Sequence, residues 1–148
     1  MAIAVLVTAL SISLAIVIHW LAVRLLWRYG RPRLVAFGGH GIGILLLGCI
    51  VAHLLEIGVF ALGIFIVAAW EGQMNLADEF RDKNLDLWYY SAAFYTSLGA
   101  DRPPTAGLRM FVTSEALTGL ILITWTASFL FILMQEAWGS GIQGGNMK

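Results

Sequence analysis

Two groups of residues in this chain have types and spacing that bear on chemistry. The first is Thr96-Ser97-Leu98-Gly99, small and hydroxyl-bearing residues followed by an acid at Asp101. Backbone carbonyls in such a turn can replace the water around a cation, and acids at a pore mouth favour cation entry. Asp101 is equally able to pair with Arg102 or Arg109. The second group is Cys49, His53 and Glu56, spaced four and three apart and so on one stripe of a helix. Thiolate, imidazole and carboxylate together could ligate a transition metal. One stripe offers at most three ligands, and the sequence shows no second cluster to complete it. The expectation is therefore no metal, with His53 and Glu56 as a buried polar brace bonded to another helix. No paired catalytic constellation is present, so the chain does not read as an enzyme.

The elements that must hold these residues are apolar. Of 148 residues, 59% are hydrophobic and only 12% charged, against about 25% charged in ordinary soluble domains. This composition reads as one all-α membrane domain whose environment is the lipid bilayer. Acids and bases balance at nine each, and nothing points to a nucleic-acid partner. The single cysteine, Cys49, excludes an internal disulfide.

Three segments are long enough to cross a bilayer, which takes about 20 apolar residues. The first covers 3–29. Its basic residues, Arg24, Arg28, Arg31 and Arg33, follow the apolar run instead of preceding it. That order favours a retained helix over a cleaved signal. It also places the arginine-rich loop in the cytoplasm and the N-terminus outside. The second segment covers 34–70; its spanning part is expected from Leu45 to Ala69, with the Gly-rich start irregular or interfacial. The third covers 108–136. The polar stretch from Glu71 to Asp86 lies outside, and a flexible tail, 139–148, lies in the cytoplasm. His19 and His40 read as interfacial or satisfied histidines, and no chain of histidines suggests a proton path.

Between the second and third spans lies 86–101, too short to cross. It carries an aromatic cluster, Trp88, Tyr89, Tyr90, Phe94 and Tyr95, before the Thr96–Gly99 turn. It is expected to form a short re-entrant helix, capped by Asn84 or Asp86. Non-helical backbone at membrane depth is tolerated only inside protein or beside water. One copy cannot enclose such a path, so this reading requires an oligomer. Glu115, early in the last span, could line the vestibule or bond Ser91 or Tyr95 behind the turn. Thr118 is the better candidate for lining a wet path.

From about His53 to Trp138 the chain resembles small bacterial potassium-channel proteins of the pore-loop cation channel superfamily. These carry a helix, a pore helix, a Thr-Thr-Val/Leu-Gly-Tyr-Gly-Asp filter and an inner helix. Thr96, Ser97, Leu98 and Gly99 match the first four filter positions with Ser in place of Thr. Ala100 stands where Tyr belongs and the second Gly is missing, before Asp101. Glu115-Ala116-Leu117-Thr118-Gly119 resembles the start of the inner helix, with Gly119 near its hinge glycine. The resemblance implies a homo-tetramer in the bacterial cell membrane. It implies filter carbonyls from Thr96 to Gly99 and a cation-attracting mouth at Asp101. Trp88, Tyr89, Tyr95 and Glu115 would support the pore helix. Permeating K+ or Na+ would be the only small ligand, with no cofactor. The missing Tyr-Gly pair implies a short filter, poorly selective for potassium. The alternative is a non-conducting structural or regulatory subunit with a vestigial loop, held to an unknown membrane-protein partner.

Overall fold

A computed structural model describes residues 1–30, 39–72, 83–100, 103 and 105–145, with no side-chain description for 39–40, 83–84 and 137–145. The described residues form helices and turns and contain no strand. The helices are α1 (Ala2–Leu25), α2 (Gly39–Trp70), α3 (Lys83–Tyr95) and α4 (Ala106–Gly145). A single wider turn, Leu26–Gly30, ends α1.

Three helices are long and apolar enough to cross a membrane, over Ala2–Gly30, Gly41–Trp70 and Ala106–Glu136. Each has about 30 residues and so measures about 45 Å, longer than a hydrocarbon core of about 30 Å. Many of their large side chains point outward: Leu6, Leu10 and Leu14 on α1, Leu47 and Leu55 on α2, Leu117 and Phe131 on α4 are all exposed, while Phe60, Ile64, Phe111 and Leu122 fill the contact between α2 and α4 and their neighbours. The face that α1 buries is small or polar instead: Ala4, Thr8, Ser11, Ala15 and His19. Lipid is as apolar as leucine, so close backbone approach and polar contacts, not large apolar side chains, favour helix association there.

The helices run antiparallel. Along α1 and α2, Leu26 meets Gly48, His19 meets Glu56 and Ser11 meets Gly63. Along α2 and α4, Cys49 clusters with Phe129 and Leu133, His53 meets Thr126, and Gly63 meets Phe111. Glu71, just past α2, accepts a hydrogen bond from the Thr105 hydroxyl. Thr105 in turn accepts from the Leu108 N–H at 3.2 Å, three residues on. It is the N-cap of α4, so one residue both starts α4 and ties it to the end of α2. Arg109 Nη1 donates to the Pro103 carbonyl at 3.2 Å, holding the incoming chain at the same end.

Several boundaries differ from those read in the sequence. Helix α2 is continuous through Gly41, Gly43 and Gly48, so its glycine-rich start is regular helix from Gly39 on. Helix α3 begins at Lys83, which puts Asn84 and Asp86 inside its first turn and not before it. An acid there still faces the positive end of the helix dipole. Helix α4 runs through Gly145, well into the stretch expected to be a flexible tail. Arg31 and Arg33 and most of the polar stretch before α3 lie outside the described residues.

Candidate functional site

The site is where α3 ends. Trp88 Nε1 lies near Gly58 of α2, and Ser91 Oγ lies 2.9 Å from the Ile57 carbonyl. At the last turn, the Tyr95 hydroxyl donates to Glu56 Oε2, and the Tyr95 carbonyl rests on Gly119 of α4. Glu56 lies fifteen residues below Glu71, and Gly119 fourteen below Thr105. Each interval is about 21–22 Å of helix. The C-terminus of α3 thus sits near the middle of α2 and α4, about 20 Å from the end of the bundle where α4 begins. The chain from Thr96 to Thr105 covers that distance on its return.

Gly119 is what lets α3 come this close. A Cβ there would collide with the Tyr95 carbonyl and lie 3.0 Å from the ring. Gly119, which the resemblance places near a hinge glycine, lies within α4 and is a contact point for Tyr95.

The turn after α3 closes as a helix cap. The Thr96 N–H donates to the Ala92 carbonyl at 3.0 Å, Ser97 to Phe94 at 2.9 Å, and Gly99 to Ala93 at 2.9 Å. Ser97 (φ 61°) and Gly99 (φ 76°) have left-handed backbone. This resembles a Schellman closure, in which a left-handed residue just past the helix lets later N–H groups reach its last carbonyls. Here the final bond is taken by Gly99, one residue later than usual. Glycine accepts this conformation freely, whereas serine pays a steric cost. Residues 96–100 are all exposed, with Leu98 84% accessible. Asp101 lies outside the described residues.

Two polar clusters brace α3 from behind. In one, Ser91 Oγ also lies 2.5 Å from Glu115 Oε1, and Glu115 is 0% exposed. One hydroxyl proton cannot serve both the Ile57 and the Glu115 oxygen, so the second bond needs a proton on the carboxyl. The other cluster gathers all four helices. Glu56, 0% exposed, faces His19 Nδ1 of α1 at 2.9 Å, His53 Nδ1 at 2.9 Å, and the Tyr95 hydroxyl. His53 Nδ1 is also 2.9 Å from the Tyr95 hydroxyl, and its Nε2 is 2.9 Å from Thr126 Oγ1. The rings of Trp125 and His19 are 5.1 Å apart.

The residues singled out in the sequence thus separate into two sets. His53, Glu56, Tyr95 and Glu115 come together with Ser91 at and behind the end of α3. Trp88 is half-buried against α2, whereas Tyr89 is exposed on the far side. Tyr90 is buried and stacked edge-on with Phe94, ring centroids 5.0 Å apart. Cys49 lies apart from the cluster, in an apolar group with Leu45, Phe129 and Leu133. Thr118 is buried and donates to the Ser114 carbonyl of its own helix at 2.7 Å. His19 reads in the sequence as interfacial or satisfied and Thr126 as a candidate pore-lining hydroxyl; in the structure both join this cluster. Of the two expectations for His19, the buried position (1% exposed) with Nδ1 on Glu56 fits a satisfied histidine at that nitrogen and not an interfacial one. Its signal was the spacing Ala4, Thr8, Ser11, Ala15, His19, a small and polar stripe on an otherwise bulky helix.

Compared with protein-family models, curated proteins and solved structures, the chain matches none of them.

Proposed function

We propose that the chain is one subunit of an oligomeric pore-loop cation channel. In this reading α3 is a re-entrant pore helix and Thr96–Gly99 the turn at its tip. One observation carries the reading: exposed, non-helical backbone at residues 96–100 follows a helix end lying at mid-height of three apolar helices. Lipid cannot hydrogen-bond such backbone, so it must be covered by protein or face water. Copies arranged around an axis supply both. A tetramer is the arrangement implied by the resemblance. The negative end of the α3 dipole then points toward the axis, where it favours a cation.

In this arrangement the carbonyls of Thr96 to Gly99 meet the ion, Asp101 attracts it at the mouth, and Glu115 and Tyr95 hold the pore helix in place. Helix α1 packs on the rim through His19. The path is short, and selectivity between K+ and Na+ is weak, because the Tyr-Gly pair that would extend the filter is absent. The topology has the N-terminus outside and the C-terminus in the cytoplasm of a bacterial cell, by the arginines that follow α1.

Ion flux into proteoliposomes, with K+ and Na+ gradients measured separately, tests this. The expected result is flux of both ions within about tenfold of each other, abolished by Gly99→Val without loss of the oligomer. A side chain at Gly99 must adopt φ 76°, which a β-branched residue resists. A specific observation favours the second reading, a non-conducting subunit. The N–H groups of Thr96, Ser97 and Gly99 all turn back onto α3, a geometry that an ordinary helix cap also has. Absence of flux from a well-formed oligomer would decide for that reading.

A further inference from the structure

We infer that the buried cluster His19, His53 and Glu56 is a binding site for a divalent first-row transition ion of the zinc type. The ion would staple α1 to α2 at the end of α3. The inference does not rest on the pore reading and holds equally for a non-conducting subunit.

The donor set comes first. Two imidazoles and a carboxylate each present one ligand atom, and the three atoms lie within 4.8 Å of one another. Imidazole and carboxylate together suit zinc and ferrous ions, whereas calcium and magnesium prefer oxygen alone. Zinc–nitrogen and zinc–oxygen bonds are about 2.0–2.1 Å, which puts tetrahedral ligand atoms about 3.3 Å apart. His19 Nδ1 and His53 Nδ1 each stand 2.9 Å from a Glu56 oxygen, so small outward shifts would open the space. The Tyr95 hydroxyl, 2.9 Å from His53 Nδ1, is a fourth donor at the same point.

The surroundings come next. Metal-bound imidazoles are oriented by a hydrogen bond on the other ring nitrogen. His53 Nε2 has that partner in Thr126 Oγ1 at 2.9 Å. His19 is 1% exposed, and its Nε2 has no hydrogen-bond partner. Neither charge state of His19 supplies one: the neutral ring leaves a lone pair or an N–H unmet, and the imidazolium leaves an N–H unmet. An ion on Nδ1 would fix the neutral tautomer with its proton on Nε2, an N–H that has no acceptor. Glu56 is a carboxylate at mid-height of an apolar bundle, 0% exposed, where an uncompensated charge is costly. A divalent cation offsets that charge directly.

The sequence alone argued against a metal because one stripe of α2 could supply no more than three ligands, one of them Cys49. The structure removes Cys49, which points into an apolar group, and adds His19 from a different helix. Ligands from two helices, closed by Tyr95 from a third, form a convergent site.

The test uses the purified full chain in detergent, stripped with chelator and titrated with Co2+, whose visible bands report tetrahedral nitrogen and oxygen ligation. The expected result is one Co2+ per chain, displaced by Zn2+, with a rise in thermal midpoint on loading. Of the three histidines in the chain, His40 stands thirteen residues before His53 on α2, and His40→Ala should bind as the parent does. His19→Gln and His53→Gln should each weaken binding at least tenfold. Both variants are checked for the parent's elution volume and helicity; where one fails to fold, the other decides. No stoichiometric Co2+ on the folded parent would overturn the site. So would binding that survives both glutamine variants, or binding lost equally in His40→Ala. Flux plays no part in the readout, so failure here and failure of the pore reading are separable.

Discussion

At the residue scale, Gly119 and Glu115 do the most to hold α3. Gly119→Val would drive a branched side chain into the Tyr95 carbonyl, which is backbone and cannot swing aside. Overpacking of this kind costs about 1–3 kcal/mol, and this site belongs at the upper end. The expected outcome is a lower unfolding midpoint in mixed detergent micelles, with the end of α3 displaced. Glu115 makes a subtler case. Its bond to Ser91 needs a proton on one side, because Ser91 also lies within hydrogen-bond distance of the Ile57 carbonyl. Glutamine carries its own N–H and nearly the same shape. Glu115→Gln should therefore unfold within about 1 kcal/mol of the parent, whereas Glu115→Ala should lose about 2 kcal/mol through the missing bond and the cavity. A large loss in Glu115→Gln would show that the site needs an ionised carboxylate, contrary to the count of protons.

At the element scale, Thr105 is the joint between α2 and α4. Its oxygen accepts the Leu108 N–H while its hydroxyl donates to Glu71. Thr105→Ala removes both, and loss of an N-cap alone costs about 1 kcal/mol. The amides at the start of α4 should exchange hydrogen faster, while those around Gly119 remain protected. The comparison of fold and sequence is clearest at this scale. The three long helices were legible because apolar runs of that length have few other solutions. The short helix was legible because an aromatic cluster ended in a small-residue turn between two spans. The pairing of His53 with Glu56 followed from three-residue spacing on one face. His19 was not legible as its partner, because contacts between helices depend on their register, which no local pattern in α1 or α2 specifies. The contact between Gly119 and Tyr95 was hidden for the same reason, since it too depends on the register between helices. The glycine-rich start of α2 is regular helix and α4 runs past its expected end, because glycine disfavours a helix by only about 1 kcal/mol per residue.

At the scale of the whole molecule, the chain shows two kinds of surface. Helix α1 turns Val5, Leu10 and Val17 outward, a face suited to lipid tails. The other surface, at residues 96–100, exposes irregular backbone and Leu98 at mid-height, which lipid cannot satisfy. If copies close around that second surface, residues 98 of neighbouring chains approach one another and residues 5 do not. The single native cysteine is buried, so Cys49→Ser gives a background without thiols. In that background Leu98→Cys should yield covalent dimers with a short thiol cross-linker in the membrane, and Val5→Cys should not. Disulfide formation itself requires Cα atoms within about 7 Å, so the span of the shortest effective reagent measures the distance across the axis. One cysteine per chain stops at dimers, and native mass spectrometry of the untreated oligomer then counts the copies. Cross-linking at residue 5 with none at residue 98 would place the lipid-like face at the interface and the polar turn away from it. That arrangement leaves bare backbone facing hydrocarbon, and it would remove the physical ground for a pore.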